Sequence, residues 1–188
     1  MKYFRQLECP VFNLRSELDT MLKEDKIHFR GDDQICLNST KDNPDDYFLG
    51  NGSLRWDWAK RYWDDEQSKE IVPQRPSPGL REWHFDTLCS VFKGTEFERI
   101  YNYLKERYKI GRVRIMVNNP HACMSWHNDS TARIHYPIKT QEGCIMVIED
   151  EAMHIPADTL WWTETTNKHT AFNGSAEQRI HLVAAIID

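Results

Sequence analysis

Arg112-Val-Arg-Ile-Met-Val117, Ala132-Arg-Ile-His-Tyr-Pro-Ile138, Gly143-Cys-Ile-Met-Val-Ile148, Thr159-Leu-Trp-Trp-Thr163, Lys168-His-Thr-Ala-Phe172 and Arg179-Ile-His-Leu-Val-Ala-Ala-Ile-Ile187 follow one another with turn residues between them. Each run is short and rich in β-branched or aromatic residues, and several alternate polar with apolar, the pattern of strands rather than helices. Six such strands with no helical stretch among them predict an antiparallel sandwich or barrel, most simply a jelly roll. Asn173-Gly174 lies between the last two runs and is a hairpin-turn signal, so those two strands are expected to pair.

Working outward, residues 12–24 place Leu14, Leu18, Met21 and Leu22 at helical spacing, with Asn13 as a candidate cap. Thr95-Glu-Phe-Glu98 reads as a capping box opening a second helix through Phe97, Ile100, Tyr101, Leu104 and Tyr108, and Gly111 sits where its C-terminal cap is expected. Between them residues 38–80 are punctuated by Pro and Gly and hold Arg55, Trp56, Trp58, Arg61 and Trp63, a candidate substrate lid. The fold expected is mainly β with flanking helices: a single domain over 1–188, in which 1–111 is helical or loop support with the lid and 112–188 carries the jelly-roll strands.

The composition bounds the rest. The chain has 188 residues, 40% hydrophobic and 28% charged, the size and make-up of one packed domain. Its 24 Lys and Arg against 29 acids give a net charge of -5, which removes the general electrostatic case for nucleic-acid or anionic-membrane binding. No run approaches the roughly 20 apolar residues of a membrane span, and the N-terminus lacks the apolar segment of a signal peptide. Five scattered Cys without a Cys-x-x-Cys pair argue against disulfides or a thiolate zinc site, so a cytoplasmic location is expected.

In an extended segment residues two apart share a side, so His127 and Asp129 can reach one metal ion, and His169 can supply a third ligand. Two His and a carboxylate on one face form the arrangement that non-haem Fe(II) oxygenases use, with open positions left for co-substrate and oxygen. Arg179, ten residues past His169 and across the expected hairpin, could pair bidentately with a bound carboxylate. A His-x-Asp pair alone is weak evidence, since it recurs as His84-Phe-Asp86. That second pair lies in a less strand-like stretch and has no Arg after a partner His, so 127/129 is preferred. His28, His121, His154 and His181 are read as structural or solvent-facing, and Cys123 and Cys144 as core residues.

Taken together, His127-Asn-Asp129, Arg133-Ile-His-Tyr-Pro-Ile138, His169-Thr-Ala-Phe-Asn173 and Arg179-Ile-His-Leu-Val183 resemble the aspartyl/asparaginyl β-hydroxylase family of Fe(II)- and 2-oxoglutarate-dependent oxygenases. The resemblance implies a double-stranded β-helix (cupin-like jelly-roll) core, iron on His127, Asp129 and His169, and Arg179 on the distal carboxylate of 2-oxoglutarate. It also implies that Arg133 and His135 lie near the co-substrate's other end, His135 being the preferred contact. O2 would be the oxidant and ascorbate a candidate reductant. Vertebrate peptide-modifying members lack the carboxylate that Asp129 provides, and the family's proline hydroxylases have a further C-terminal region. The substrate therefore does not carry over beyond a small-molecule or peptide, amino-acid-like class. Two rivals stand beside this reading: a cupin-type metal protein that does not use 2-oxoglutarate, and a non-catalytic ligand-binding module.

Overall fold

The computed structural model describes residues 1–31, 33–52, 54, 62–64, 69–71 and 79–187. Along the chain lie β1 (Phe4–Leu7), α1 (Leu14–Lys23), β2 (Gln34–Cys36), β3 (Asn38–Ser39), β4 (Tyr62–Asp64), β5 (Lys69–Ile71), β6 (Thr87–Leu88) and α2 (Glu96–Arg107). Then follow β7 (Ile110–Asn118), β8 (Arg133–Lys139), β9 (Cys144–Ile148), β10 (Glu151–Met153), β11 (Leu160–Thr163), β12 (His169–Asn173) and β13 (Arg179–Ile186). The candidate lid residues Arg55, Trp56, Trp58 and Arg61 lie outside the described residues, as does the side chain of Trp63.

Two sheets face each other. The larger has the order β1-β11-β8-β13-β7-β2, and the smaller β10-β9-β12. The smaller sheet is extended by the segment 121–129, which runs beside β12 through bridges at Cys123↔Phe172 and His127↔His169. From β7 onward the chain therefore passes from the larger sheet to segment 121–129, back to β8, over to β9 and β10, back to β11, over to β12, and ends on β13. That alternation is the jelly roll, and the protein is mainly β with two flanking helices.

Period-two alternation sorts the side chains of the larger sheet. Val113 and Ile115 of β7, Ile134 and Tyr136 of β8, and Leu182 and Ala184 of β13 point to one face and join the apolar core with Leu14, Leu18 and Met21 of α1 and Phe97, Ile100 and Leu104 of α2. Their neighbours Arg112, Arg114, Arg133, His135, Arg179, His181 and Val183 point the other way and line a cavity between the sheets. Removing the α1 and α2 faces from water at roughly 25 cal/mol per Å² is what fixes this register, because a one-residue slip would turn the arginines into the core.

Cys144 is buried as expected but Cys123 is exposed, and the fold departs from the sequence expectations in four further places. β12 pairs with β9 and β13 with β7 and β8, so Asn173-Gly174 is a crossing between sheets and not a hairpin. The buried Asn173 side chain satisfies that crossing, donating to the carbonyls of Asn118 and Glu177 and accepting from Ser175. The N-terminal half is not only helical support: β1 pairs with β11 and β2 with β7, closing both edges of the larger sheet. Thr95 caps α2 as expected, but the box is offset: Thr95 Oγ1 accepts the N–H of Phe97 rather than that of Glu98, and the Glu98 carboxylate accepts that of Gly94 rather than that of Thr95. Gly111 does not end the helix. It lies in β7, where a Cβ would fall 2.6 Å from the Cβ and 2.9 Å from the carbonyl oxygen of Glu82, so it permits the close approach of the 3-10 turn Glu82–His84.

Candidate metal centre and its basic cavity

Segment 121–129 and β12 position three donor groups. His127 and His169 exchange backbone hydrogen bonds, which places them directly opposite with their side chains on the same face. Asp129 lies two residues beyond His127, on that same side, and its N–H donates to the Thr165 carbonyl at 2.8 Å. The ligand atoms of His127, Asp129 and His169 all lie within 4.8 Å of one another, and the Asp129 Oδ2 to His169 Nε2 distance is 3.7 Å. Among the described residues this is the only such cluster of His, Cys and carboxylate groups.

Hydrogen bonding selects the tautomers. The Nδ1 of His127 lies 2.7 Å from the Ser125 carbonyl and that of His169 lies 3.0 Å from the Asn167 carbonyl. A carbonyl can only accept, so each Nδ1 carries the proton and each Nε2 keeps a free lone pair for a metal. Burial holds His169 below the usual imidazole pKa, which keeps it neutral. His127, Asp129 and His169 are the residues that would hold a divalent ion. Two imidazoles and one carboxylate suit a non-haem iron. His84 and Asp86 do not form a comparable pair, because His84 accepts the Arg81 N–H and Asp86 pairs with Lys41 at 3.1 Å.

The cavity beside these groups has a volume of about 720 Å³. Arg133 stands at the metal end, its Nε 3.2 Å from Asp129 Oδ2, an ion-pair distance without hydrogen-bond geometry. Its Nη1 donates to the Thr131 hydroxyl and carbonyl. Arg179 is buried and, among the described residues, has no carboxylate at ion-pair distance. Its Nη2 lies 3.1 Å from His181 Nδ1, and burial lowers its pKa to about 10.

His181 was not expected in this cavity, yet it is buried there with its Nδ1 3.3 Å from His135 Nδ1. A guanidinium can only donate, so His181 Nδ1 is an acceptor and its Nε2 carries the proton. His135 must then donate from Nδ1, which leaves its Nε2 as an acceptor. Burial, with Arg179 nearby, pushes both imidazoles well below 6.5 and keeps them neutral. The shared strand parity of Arg179 and His181 was the signal that could have placed His181 here.

Glu82 and Arg114 also line the cavity; no local sequence pattern marks Glu82, while Arg114 shares the strand parity of Arg112. Glu82 receives the Nε and Nη2 of Arg112 at 3.0 and 2.8 Å, and Arg133 Nη2 lies 3.6 Å away. Burial alone would raise the Glu82 carboxyl, but Arg112, with Arg133 and Arg114 behind it, outweighs that and holds it at about 2.

The sequence profile described as aspartyl/asparaginyl beta-hydroxylase matches residues 84–188, more than half of the chain and including all three donors. The chain belongs to the aspartyl/asparaginyl beta-hydroxylase family. Solved structures similar to this member include a 2OG-Fe(II) oxygenase family oxidoreductase from Burkholderia pseudomallei, with 15% identity, TM-score 0.41 and coverage of 48% of this chain and 55% of that one. This chain thus spans little more than half of that protein's length. A viral collagen prolyl hydroxylase from Paramecium Bursaria Chlorella virus-1, in complex with 2OG, is 11% identical, with TM-score 0.35 and coverage of 48% and 70%. A cupin domain from Bordetella pertussis Tohama I is 14% identical, with TM-score 0.37 and coverage of 41% and 81%. The fold of this hydroxylase-family protein rests on its own strand order, not on likenesses this weak. No curated protein sequence matches it closely enough to count as a relative. Among the described residues no helix is long and apolar enough to cross a membrane.

Proposed function

We propose that the protein is an Fe(II)- and 2-oxoglutarate-dependent hydroxylase acting on an amino-acid-like or peptidyl substrate. The observation that carries this reading is the pairing of the convergent His127–Asp129–His169 donors with Arg179, a buried cation in the same cavity that has no carboxylate of its own among the described residues. An uncompensated buried charge is costly, so Arg179 calls for an anionic ligand. The C5 carboxylate of 2-oxoglutarate meets that need, and Arg179 presents it with planar, directional donors.

The chain's own groups then act as follows. His127 and His169 bind through Nε2 because the Ser125 and Asn167 carbonyls hold their Nδ1 protons. Arg133 steadies the Asp129 carboxylate. His181 accepts from Arg179 and His135, orienting both toward the co-substrate without carrying charge itself. The two sheets exclude bulk water from the oxidised C–H bond. Iron, 2-oxoglutarate and O2 would together supply an oxidative decarboxylation that releases succinate and CO2 and places one oxygen atom in the substrate.

The test is 2-oxoglutarate binding to metal-loaded protein, together with succinate release. Arg179→Gln is expected to weaken 2-oxoglutarate binding by about 10- to 100-fold, the loss of one charge-assisted contact, while leaving metal affinity unchanged. Metal binding without 2-oxoglutarate affinity, unaffected by Arg179→Gln, would favour the cupin-type alternative. Absence of metal binding would favour a non-catalytic module.

A further inference from the structure

The cavity has a second cation that the proposed co-substrate does not use. Arg114 is 8% exposed, lines the cavity and lies on β7 opposite Val183 of β13. Arg179 is four residues away along β13, about 13 Å at 3.3 Å per residue, so the two arginines stand at separate places along the cavity. Arg114 is held toward the β2 edge by Nη1, which donates to Gln34 Oε1 at 2.9 Å and to the Gly52 carbonyl at 3.2 Å.

Arg112, two residues earlier on the same face, shows what such an arginine does when its acid is present. Its Nη1 also donates to the Gly52 carbonyl, at 2.9 Å, while its Nε and Nη2 together hold the Glu82 carboxylate. Arg114 repeats the first half of that arrangement and lacks the second. Its Nε is buried with no hydrogen-bond partner, and among the described residues no carboxylate lies at ion-pair distance from its guanidinium. Burial, followed by the neighbouring Arg112, lowers its pKa to about 10, the signature of a cation short of compensation.

The charge of the whole cavity points the same way. Among the described residues, four buried arginines (112, 114, 133 and 179) face two carboxylates, Glu82 and Asp129. A divalent metal and a dianionic co-substrate cancel each other and leave that surplus in place.

Resting on the hydroxylase reading, we propose that Arg114 is a specificity-determining residue whose Nε–Nη2 edge binds a carboxylate of the oxidised substrate, so that the enzyme acts on an acidic amino-acid-like molecule in preference to its amide. Planar bidentate geometry favours a carboxylate here, and an amide presents only one acceptor oxygen to the same edge. Free acidic amino acids and acidic residues within a peptide share this chemistry.

Calorimetry on Mn(II)-loaded protein, with and without 2-oxoglutarate, separates these cases. The probes are L-aspartate, L-glutamate, their N-acetyl amides as peptide mimics, and the asparagine and glutamine counterpart of each. At least one acid is expected to bind about tenfold or more tightly than its counterpart, and the free or capped series that responds identifies the source. Arg114→Gln should erase that preference and change 2-oxoglutarate affinity less than about twofold. Arg114→Lys, which keeps the charge but loses the paired edge, should retain only part of it. The proposal is overturned if no probe binds, if acid and amide bind alike, or if the preference survives in Arg114→Gln. It is equally overturned if Arg114→Gln weakens 2-oxoglutarate as Arg179→Gln does, since the carboxylate would then be the co-substrate's. If 2-oxoglutarate fails to bind the wild type, the hydroxylase reading falls instead, while the acid-over-amide comparison on the Mn(II) protein still reports on Arg114.

Discussion

His127 and His169 are each other's backbone partners: the His127 N–H donates to the His169 carbonyl at 3.0 Å, the His169 N–H returns the bond at 2.9 Å, and the two rings lie 4.2 Å apart. Two residues far apart in sequence are thus fixed side by side by main-chain bonds that an alanine at either position leaves intact.

Replacing either imidazole should therefore remove metal binding without unfolding the protein. His127→Ala, Asp129→Ala and His169→Ala are each expected to lower Fe(II) or Mn(II) affinity by more than the roughly 10- to 100-fold that loss of an outer partner costs. His84→Ala should bind metal like the wild type. Equilibrium dialysis with metal analysis checks this, and circular dichroism verifies the fold.

Glu82 should govern acid stability. A carboxyl held at about 2 in the folded protein and near 4.5 when unfolded binds fewer protons folded than unfolded, so its contribution is complete above about pH 5 and fades as pH falls toward 2. That contribution is on the order of 3 kcal/mol. Urea denaturation across this range should show a shallower loss for Glu82→Gln than for the wild type. At pH 7, Glu82→Ala should cost about 3–5 kcal/mol because it strands Arg112.

The His135–His181 pair should act nearer neutrality. Both imidazoles are held well below 6.5 by burial, so the unfolded chain takes up protons that the folded one refuses. Their contribution is complete above pH 6.5 and is lost as pH falls below it. His181→Asn is expected to flatten the stability profile between about pH 6.5 and 5, measured by thermal melts in matched buffers.

Gly111→Ala should destabilise by about 1–3 kcal/mol, the usual cost of overpacking, because the new methyl meets the Cβ and carbonyl of Glu82. A weakened Glu82–Arg112 contact should accompany it, seen as an acid-stability profile shifted toward that of Glu82→Gln. Urea melts at pH 7 and pH 3 measure both effects.

What the sequence made legible was local. β7, β8, β9, β11, β12 and β13 each announce themselves by short apolar runs between turn residues, and the metal-type triad follows from residue types and parity. Phe4-Arg-Gln-Leu7 and Gln34-Ile-Cys36 are too short and polar to read as strands, and pairing with β11 and β7 creates them. Asn173-Gly174 carries a hairpin signal, but a turn preference cannot choose between two sheets, and the bond from the Gly174 N–H to the Gly143 carbonyl resolves the choice. Glu82 and the role of Arg114 stayed hidden because their partners, or the lack of them, arise from segments that only tertiary folding brings together. The surplus of arginine on one face of β7 and β8 was visible in the alternation, while its meaning required knowing that the opposite face was the core.

The pairing of Phe4 with Thr163 bears on the order of assembly. Strand β1 is synthesised before both helices and its partner β11 after them, and β11 in turn docks on β8. The nascent chain must therefore carry β1 unpaired until β11 is made, and an unpaired strand is an invitation to pair with the wrong neighbour. Chaperone dependence or slow refolding in this protein would trace to that long-range closure.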